Sequence, residues 1–292
     1  MAKFTAMSDN EWLGDPTTHM MKTGATLRSP ANADQEALSR FIPRMANGVK
    51  VEYDIYYASP EGQIKGYKYT DFLTKAIMIT PCNLRLAIDN IAEVAKRPPL
   101  ESGYNVINEL VKTIDDKYIL TRPDEYADVE EIVVLPGTNL LSKDAVDVDK
   151  IDAMVKDTSR KVFVKIHPIT AKVWETMLKN RWGDRVIPSD APLYPIIRAA
   201  KKVHFTMSSE TGLAAAILGK KIGVIDHPEY KRQRNFENIY RGLDKAVGHG
   251  TIRDRLVALL TYPESGLLTV YHEKPEERIK AYFNHMSKHQ HV

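Results

Sequence analysis

Two short stretches carry residue types that can hold an anion. Lys165-Ile166-His167-Pro168 runs an apolar segment straight into a His-Pro pair. Proline fixes the turn and cannot extend a strand ladder, so the imidazole is expected at the end of that strand, where it can donate to a phosphate or ribose oxygen. The alternative is a histidine that hydrogen-bonds its own loop. Met207-Ser208-Ser209-Glu210-Thr211-Gly212 places two serines, a threonine and a glycine where one apolar segment gives way to an Ala-rich one. A strand-to-helix junction of this kind offers backbone N–H groups, the positive end of a helix dipole and hydroxyl donors, a set that suits phosphate. Gly212 is expected to let the backbone come close to the ligand. The alternative is plain helix capping, for which Ser and Thr are preferred.

Three further groups are weighed in the same way. Tyr230-Lys231-Arg232-Gln233-Arg234-Asn235-Phe236 is basic and aromatic, with Arg241 soon after. Arg232, Arg234 and Arg241 are expected to contact a donor phosphate or a polyanionic acceptor, and the alternative is a solvated loop. Asp147-Val148-Asp149 spells a D-x-D of the kind that holds a divalent metal, but it stands just before a helix, where Asp is a routine cap. The cap is the preferred reading, and no obligatory metal or cofactor is expected. A general base for a hydroxyl acceptor must be a carboxylate or histidine within about 3 Å of it. Asp15 and His19 are the candidates, in a Gly-flanked loop after a first strand over 3–7, with Asp54 and Asp71 behind them. His285, His289 and His291 read as a mobile tail.

These residues need elements to position them, and the second half of the chain supplies a clear series. Strands are expected over 131–135, 161–166, 185–188, 203–207 and 221–225, and helices over 149–156, 171–178, 192–200 and 211–218. Apolar runs of that length alternating with helical periodicity make βαβ units, hence a parallel sheet with helices on both faces. Ligands bind beyond the carboxyl ends of such strands. The residues to watch are therefore 136–139, His167-Pro168, Ser189-Asp190, 208–211 and Asp226-His227. In the first half, 49–58 alternates like a strand, while 69–79, 83–95 and 104–114 look helical. Two amphipathic helices are expected around Leu256 and Ile279. The expected division is an α/β domain over 1–128, a Rossmann-like domain over 129–250, and C-terminal helices over 251–292 that pack back on both.

Strand, His-Pro, helix, strand, helix, strand, Ser-Ser-x-Thr-Gly and helix in that order resemble the nucleotide-binding half of GT-B-type glycosyltransferases with HP and SS motifs. That group includes bacterial sialyl-, polysialyl- and Kdo-transferases. The resemblance covers about 133–226. It implies an α/β fold of two Rossmann-like domains facing a cleft, with the parallel sheet clearest in the C-terminal half. It also implies a nucleotide-sugar donor, UDP- or CMP-linked, held by His167, Ser208 and Ser209, with Lys165, Glu210, Thr211 and Gly212 beside them. The family's catalytic acidic motif has no match in the first half.

Bulk properties set limits on partners. The 292 residues are 43% hydrophobic and 27% charged, which suits a globular chain with an ample core. The single Cys82 excludes an internal disulfide and a Cys-rich zinc site. No window approaches the ~18 apolar residues of a membrane span, so a cytoplasmic setting without stable membrane insertion is expected. Net charge is +3 and the pI about 8.7, compatible with a polyanion. The favoured acceptor is double-stranded bacteriophage DNA carrying hydroxymethyl- or hydroxy-cytosine, by analogy with the small GT-B-like enzymes of phages. The alternatives are a surface-polysaccharide transferase using a CMP-sugar, a sugar-nucleotide epimerase, and a non-catalytic nucleotide- or DNA-binding module. No G-x-G-x-x-G follows any expected strand, which argues against a dinucleotide-binding dehydrogenase.

Overall fold

The computed structural model describes residues 33–46, 48–49, 51–53, 66–73, 75–114, 129–141, 145–230 and 236–289. In chain order the described elements begin with α1 (Ala33–Ser39), α2 (Ile42–Met45), β1 (Val51–Tyr53), β2 (Tyr67–Phe72), β3 (Ala76–Pro81), α3 (Leu84–Ala95) and α4 (Glu101–Thr113). Then follow β4 (Glu131–Val134), α5 (Thr138–Leu141), α6 (Val148–Lys156), β5 (Val162–Lys165), α7 (Lys172–Trp182), β6 (Val186–Ile187), α8 (Leu193–Ala199), β7 (Lys202–Phe205), α9 (Thr211–Ile217) and β8 (Lys221–Val224). The chain ends in α10 (Glu237–Lys245), α11 (Ile252–Thr261), β9 (Leu267–Thr269) and α12 (Pro275–His289). No helix among the described residues is long and apolar enough to cross a membrane.

The chain forms two compact units, and their borders differ from the division expected at Asp128 and after residue 250. One unit contains Asp116–Arg232, and the other joins Thr26–Asp115 to Gln233–Val292. The C-terminal helices thus belong to the same unit as Thr26–Asp115. α10 packs along α3, where a Cβ on Gly242 would lie 2.5 Å from the Ile91 side chain, so only glycine allows that approach.

The Asp116–Arg232 unit is a five-stranded parallel sheet in the order β6-β5-β4-β7-β8. Every strand and helix expected in this stretch is present, with ends shifted by a few residues. The central strands are buried on both faces, which is why they read as unbroken apolar runs. Val133, Val162, Val164 and Ile166 join Ile151, Met154, Trp174 and Leu178 of α6 and α7 in one core layer. Ile132, Val203 and Phe205 are equally buried, as are Ile196, Ile197 and Leu213 of α8 and α9. Gly219, at φ +73, closes α9: its N–H reaches the Ala216 carbonyl, and the Lys220 N–H reaches that of Ala215.

The other unit has a four-stranded sheet in the order β1-β2-β3-β9. β1 and β2 are parallel, and the other two pairs are antiparallel. The expected α/β class with its parallel sheet clearest in the C-terminal half is met, and among the described residues the sheet of this other unit is mixed, with helices. The helix expected over 69–79 is corrected, because this segment is the β2–β3 hairpin. Leu73 turns it at φ +55, and the buried Gln35 amide donates to the Leu73 and Ala76 carbonyls, fixing the turn. The expected histidine tail is also corrected at His285, which lies in α12 with Nε2 3.0 Å from Asn90 Oδ1.

His272 gives this unit a pH dependence. Its Nδ1 accepts the Thr269 N–H at 3.0 Å, and its Nε2 lies 2.9 Å from the Leu260 carbonyl. Burial, with the Arg278 charge adding to it, pushes the imidazole down to about 4. The unfolded ring takes up a proton near its ordinary 6.5, whereas the folded ring does so only near 4. The stability held by neutral His272 is thus complete above pH 6.5 and lost as the pH falls towards 4, by about 3 kcal/mol in all. His272→Gln keeps a donor for the Leu260 carbonyl without titrating. Its urea midpoint should fall less than the wild type's between pH 7 and 4.5, and an equal fall would assign the loss to other groups.

Candidate functional site

The sheet's winding reverses between β4 and β7, since β5 and β6 lie to one side of β4 and β7 and β8 to the other. The crevice beyond the carboxyl ends at such a switch is where open α/β sheets bind ligands. The loops that border it are 135–138 after β4 and 206–210 after β7. One strand further out on either side are the ends of β5 and β8, with His167 and His227.

His167 is half-buried in a tight turn. Its Nδ1 accepts the Ile169 N–H at 3.2 Å, and its carbonyl accepts the Thr170 N–H at 3.0 Å. A neutral imidazole whose Nδ1 accepts must carry its proton on Nε2. Nδ1 thus serves the loop, which is the alternative reading of the dipeptide. The loop after β4 is tied to this turn's helix, because Thr138 Oγ1 accepts the Ala171 N–H at 2.9 Å at the start of α7.

The two serines differ. Ser209 Oγ accepts the Thr211 N–H at 3.1 Å and donates to Thr211 Oγ1 at 2.7 Å, so its hydroxyl is engaged within the turn that leads into α9. Ser208 is partly exposed, and neither its hydroxyl nor its N–H has a partner among the described residues. It is the serine with donors to offer. Glu210 is partly exposed at the same turn, and Thr211 is buried at the first position of α9. Gly212 has another reason to be glycine than the one expected. A Cβ there would lie 2.3 to 2.5 Å from three ring atoms of the fully buried Phe205, so the position makes room for β7 rather than for a ligand.

Lys165 is buried at the end of β5 and donates to the carbonyls of Ile166, at 2.6 Å, and Ser189, at 3.1 Å. Its ammonium fastens the β5 and β6 ends together. Ser189 Oγ in turn donates to Glu175 Oε2 at 3.1 Å. Burial works against the Glu175 charge, but Lys179 at 3.0 Å and Lys172 at 3.3 Å outweigh it and hold the carboxyl below its ordinary value. Two buried hydroxyls near this edge, Thr170 Oγ1 and Thr206 Oγ1, have no hydrogen-bond partner among the described residues, a cost of about 1–3 kcal/mol each.

The structure thus brings Lys165, His167 and the 208–212 turn to one edge of one sheet. Asp15, His19, Asp54, Arg232 and Arg234 lie outside the described residues. Arg241 is in α10 of the other unit, paired with Glu237 Oε1 at 2.6 Å, and the buried Asp71 is in β2 of that unit. Asp147 of the D-x-D accepts the Lys150 N–H at 3.0 Å and is the cap of α6.

No family model matches the chain, and no curated protein matches it. Among solved structures it is similar to the β-Kdo 2,7 transferase KpsC of Thermosulfurimonas dismutans. That likeness covers 87% of this chain and 91% of that one, at 15% identity and a TM-score of 0.44.

His227, one of the positions expected to follow a strand, is also followed by proline, so the His-Pro dipeptide recurs at the end of a second strand.

Proposed function

We propose that the chain is a glycosyltransferase that moves a sugar from a pyrimidine nucleotide donor to an acceptor hydroxyl. The observation that carries this reading is the position of Ser208 after β7 at the β4/β7 switch, two strand spacings, across β4, from the end of β5 where His167 stands. A hydroxyl, a backbone N–H and an imidazole N–H at the mouth of a parallel sheet suit the oxygens of a departing phosphate. In the reaction the acceptor O–H gives its proton to a base, its oxygen bonds the anomeric carbon, and the bond to the donor phosphate breaks with its electron pair. Donors set for the leaving phosphate act where charge develops. Asp15, with His19 near it in sequence, is the proposed base. The proposed acceptor is hydroxymethyl- or hydroxy-cytosine in phage DNA.

The test is thermal stabilisation by CMP, CDP, UDP, UDP-glucose, GDP and NAD at millimolar level, since a ligand that binds only the folded state raises the melting temperature. A shift with one pyrimidine nucleotide, reduced by about half or more in Ser208→Ala, is expected. Ser209→Ala should also cost about 1 kcal/mol of stability, the size of the hydrogen bonding to Thr211 that it removes. Asp15→Asn should keep the nucleotide shift and lose transfer, assayed on hydroxymethylated DNA and on a polysaccharide acceptor side by side. If none of the nucleotides shifts the wild type, the chain is not a nucleotide-sugar enzyme.

A further inference from the structure

The His-Pro turn after β5 has a twin after β8. His227 Nδ1 accepts the Glu229 N–H at 3.2 Å, and its carbonyl accepts the Tyr230 N–H at 3.1 Å. These are the same two bonds that His167 makes to Ile169 and Thr170, at 3.2 and 3.0 Å. The consequence for the ring is also the same, because an accepting Nδ1 leaves the proton of the neutral imidazole on Nε2. Both rings are half-buried. β5 lies beside β4 and β8 beside β7, so the two turns stand symmetrically about the switch in winding.

The second turn is built into the serine loop. Asp226, the residue before His227, accepts the Met207 N–H at 2.9 Å, which ties the end of β8 to the residue before Ser208. On its other side the His227 N–H donates to the Ala145 carbonyl at 3.1 Å. The histidine is thereby held from both neighbouring segments at the edge of the crevice.

We infer that His227 is a second donor-binding residue of this edge, contacting the nucleotide sugar from the β8 side as His167 does from the β5 side. This rests on the nucleotide-sugar reading above and goes beyond it in the residue and in the shape of the ligand. The ends of β5 and β8 are three strand spacings apart, about 14 Å. A single ligand that meets both histidines must extend across β4 and β7, as a nucleoside diphosphate sugar can and inorganic phosphate cannot.

Two substitutions separate this role from a structural one. Asn can replace Nδ1 as acceptor in the turn but has no atom at the Nε2 position, whereas Gln places an amide donor near Nε2 and loses the turn bond. Calorimetric titration with UDP, CDP, UDP-glucose and inorganic phosphate is to be run on the wild type, His227→Asn, His227→Gln and His167→Asn. His227→Asn is expected to melt like the wild type yet bind UDP-glucose about tenfold or more weakly, the size of a lost hydrogen bond to a charged group. His227→Gln should keep most of the affinity. Phosphate should not respond to both histidines. If His167→Asn loses affinity while His227→Asn does not, His227 only makes its turn and the inference fails with the nucleotide site intact. If the wild type binds none of the nucleotides, the reading and the inference fall together.

Discussion

Replacing Gly212 by alanine is expected to lower the melting temperature by about 10 °C. The added Cβ would sit 2.3 Å from Phe205 Cζ, 2.4 Å from Cε1 and 2.5 Å from Cε2, and that ring has no exposed surface into which to swing. Overpacking a filled core costs about 1–3 kcal/mol, and about 4 °C is lost per kcal/mol in a unit of this size. Phe205→Leu leaves room for the methyl group. The double variant should therefore be more stable than the two separate losses predict, by about 1 kcal/mol, measured by calorimetry. The cycle also separates the two reasons for a glycine here. If the position packs against β7, the double variant regains nucleotide binding along with its fold. An unchanged melting temperature with lost binding would instead return Gly212 to the ligand.

The largest expected effect on chemistry comes from His167→Asn. The asparagine carbonyl can take over the Ile169 N–H, so the turn and the melting temperature should hold. The Nε2 donor is lost, and a hydrogen bond to a charged oxygen corresponds to about 1.5–3 kcal/mol. A fall in kcat/KM of about ten- to a hundredfold is expected. If the contact is to the departing phosphate, the fall lies in kcat, and if it is to the ribose, it lies in the donor KM. His167→Gln, with an amide near the Nε2 position, should recover part of it. Wild-type kcat/KM in His167→Asn would reduce the histidine to a loop ligand.

The two halves of the chain were unequally legible, and the reason is burial geometry. β4, β5 and β7 are covered on both faces, so each appears as a short apolar run with a turn behind it. The runs are separated by helices with one apolar stripe, and the order of elements followed directly. β2 and β3 are also covered on both faces, but they adjoin through a three-residue turn with no glycine or proline. Without a break, Tyr69, Phe72 and Leu73 fall at helical spacing and suggested a helix. β9 is three residues long and gave no periodicity at all. At the site, the serine turn and the first His-Pro were legible because they lie at strand ends. What the sequence could not separate was the task of each residue. Ser209 and Gly212 are the same residue types whether they serve a ligand or the fold, and only the hydrogen bond to Thr211 and the distance to Phe205 distinguish them.

The discontinuous unit has a consequence for how the protein is made. β3 pairs with β9, α3 packs with α10, and Asn90 meets His285, a partner 195 residues further along the chain. On the ribosome the first part of this unit emerges with the β9 side of β3 open and the apolar face of α3 uncovered. The parallel-sheet unit follows, and its described strand pairs lie within 131–224, so they can form while synthesis continues. The earlier segment must wait for the last one. A nascent chain stopped after residue 232 therefore leaves the ribosome with one finished body and one exposed strand edge, the kind of edge on which aggregation starts.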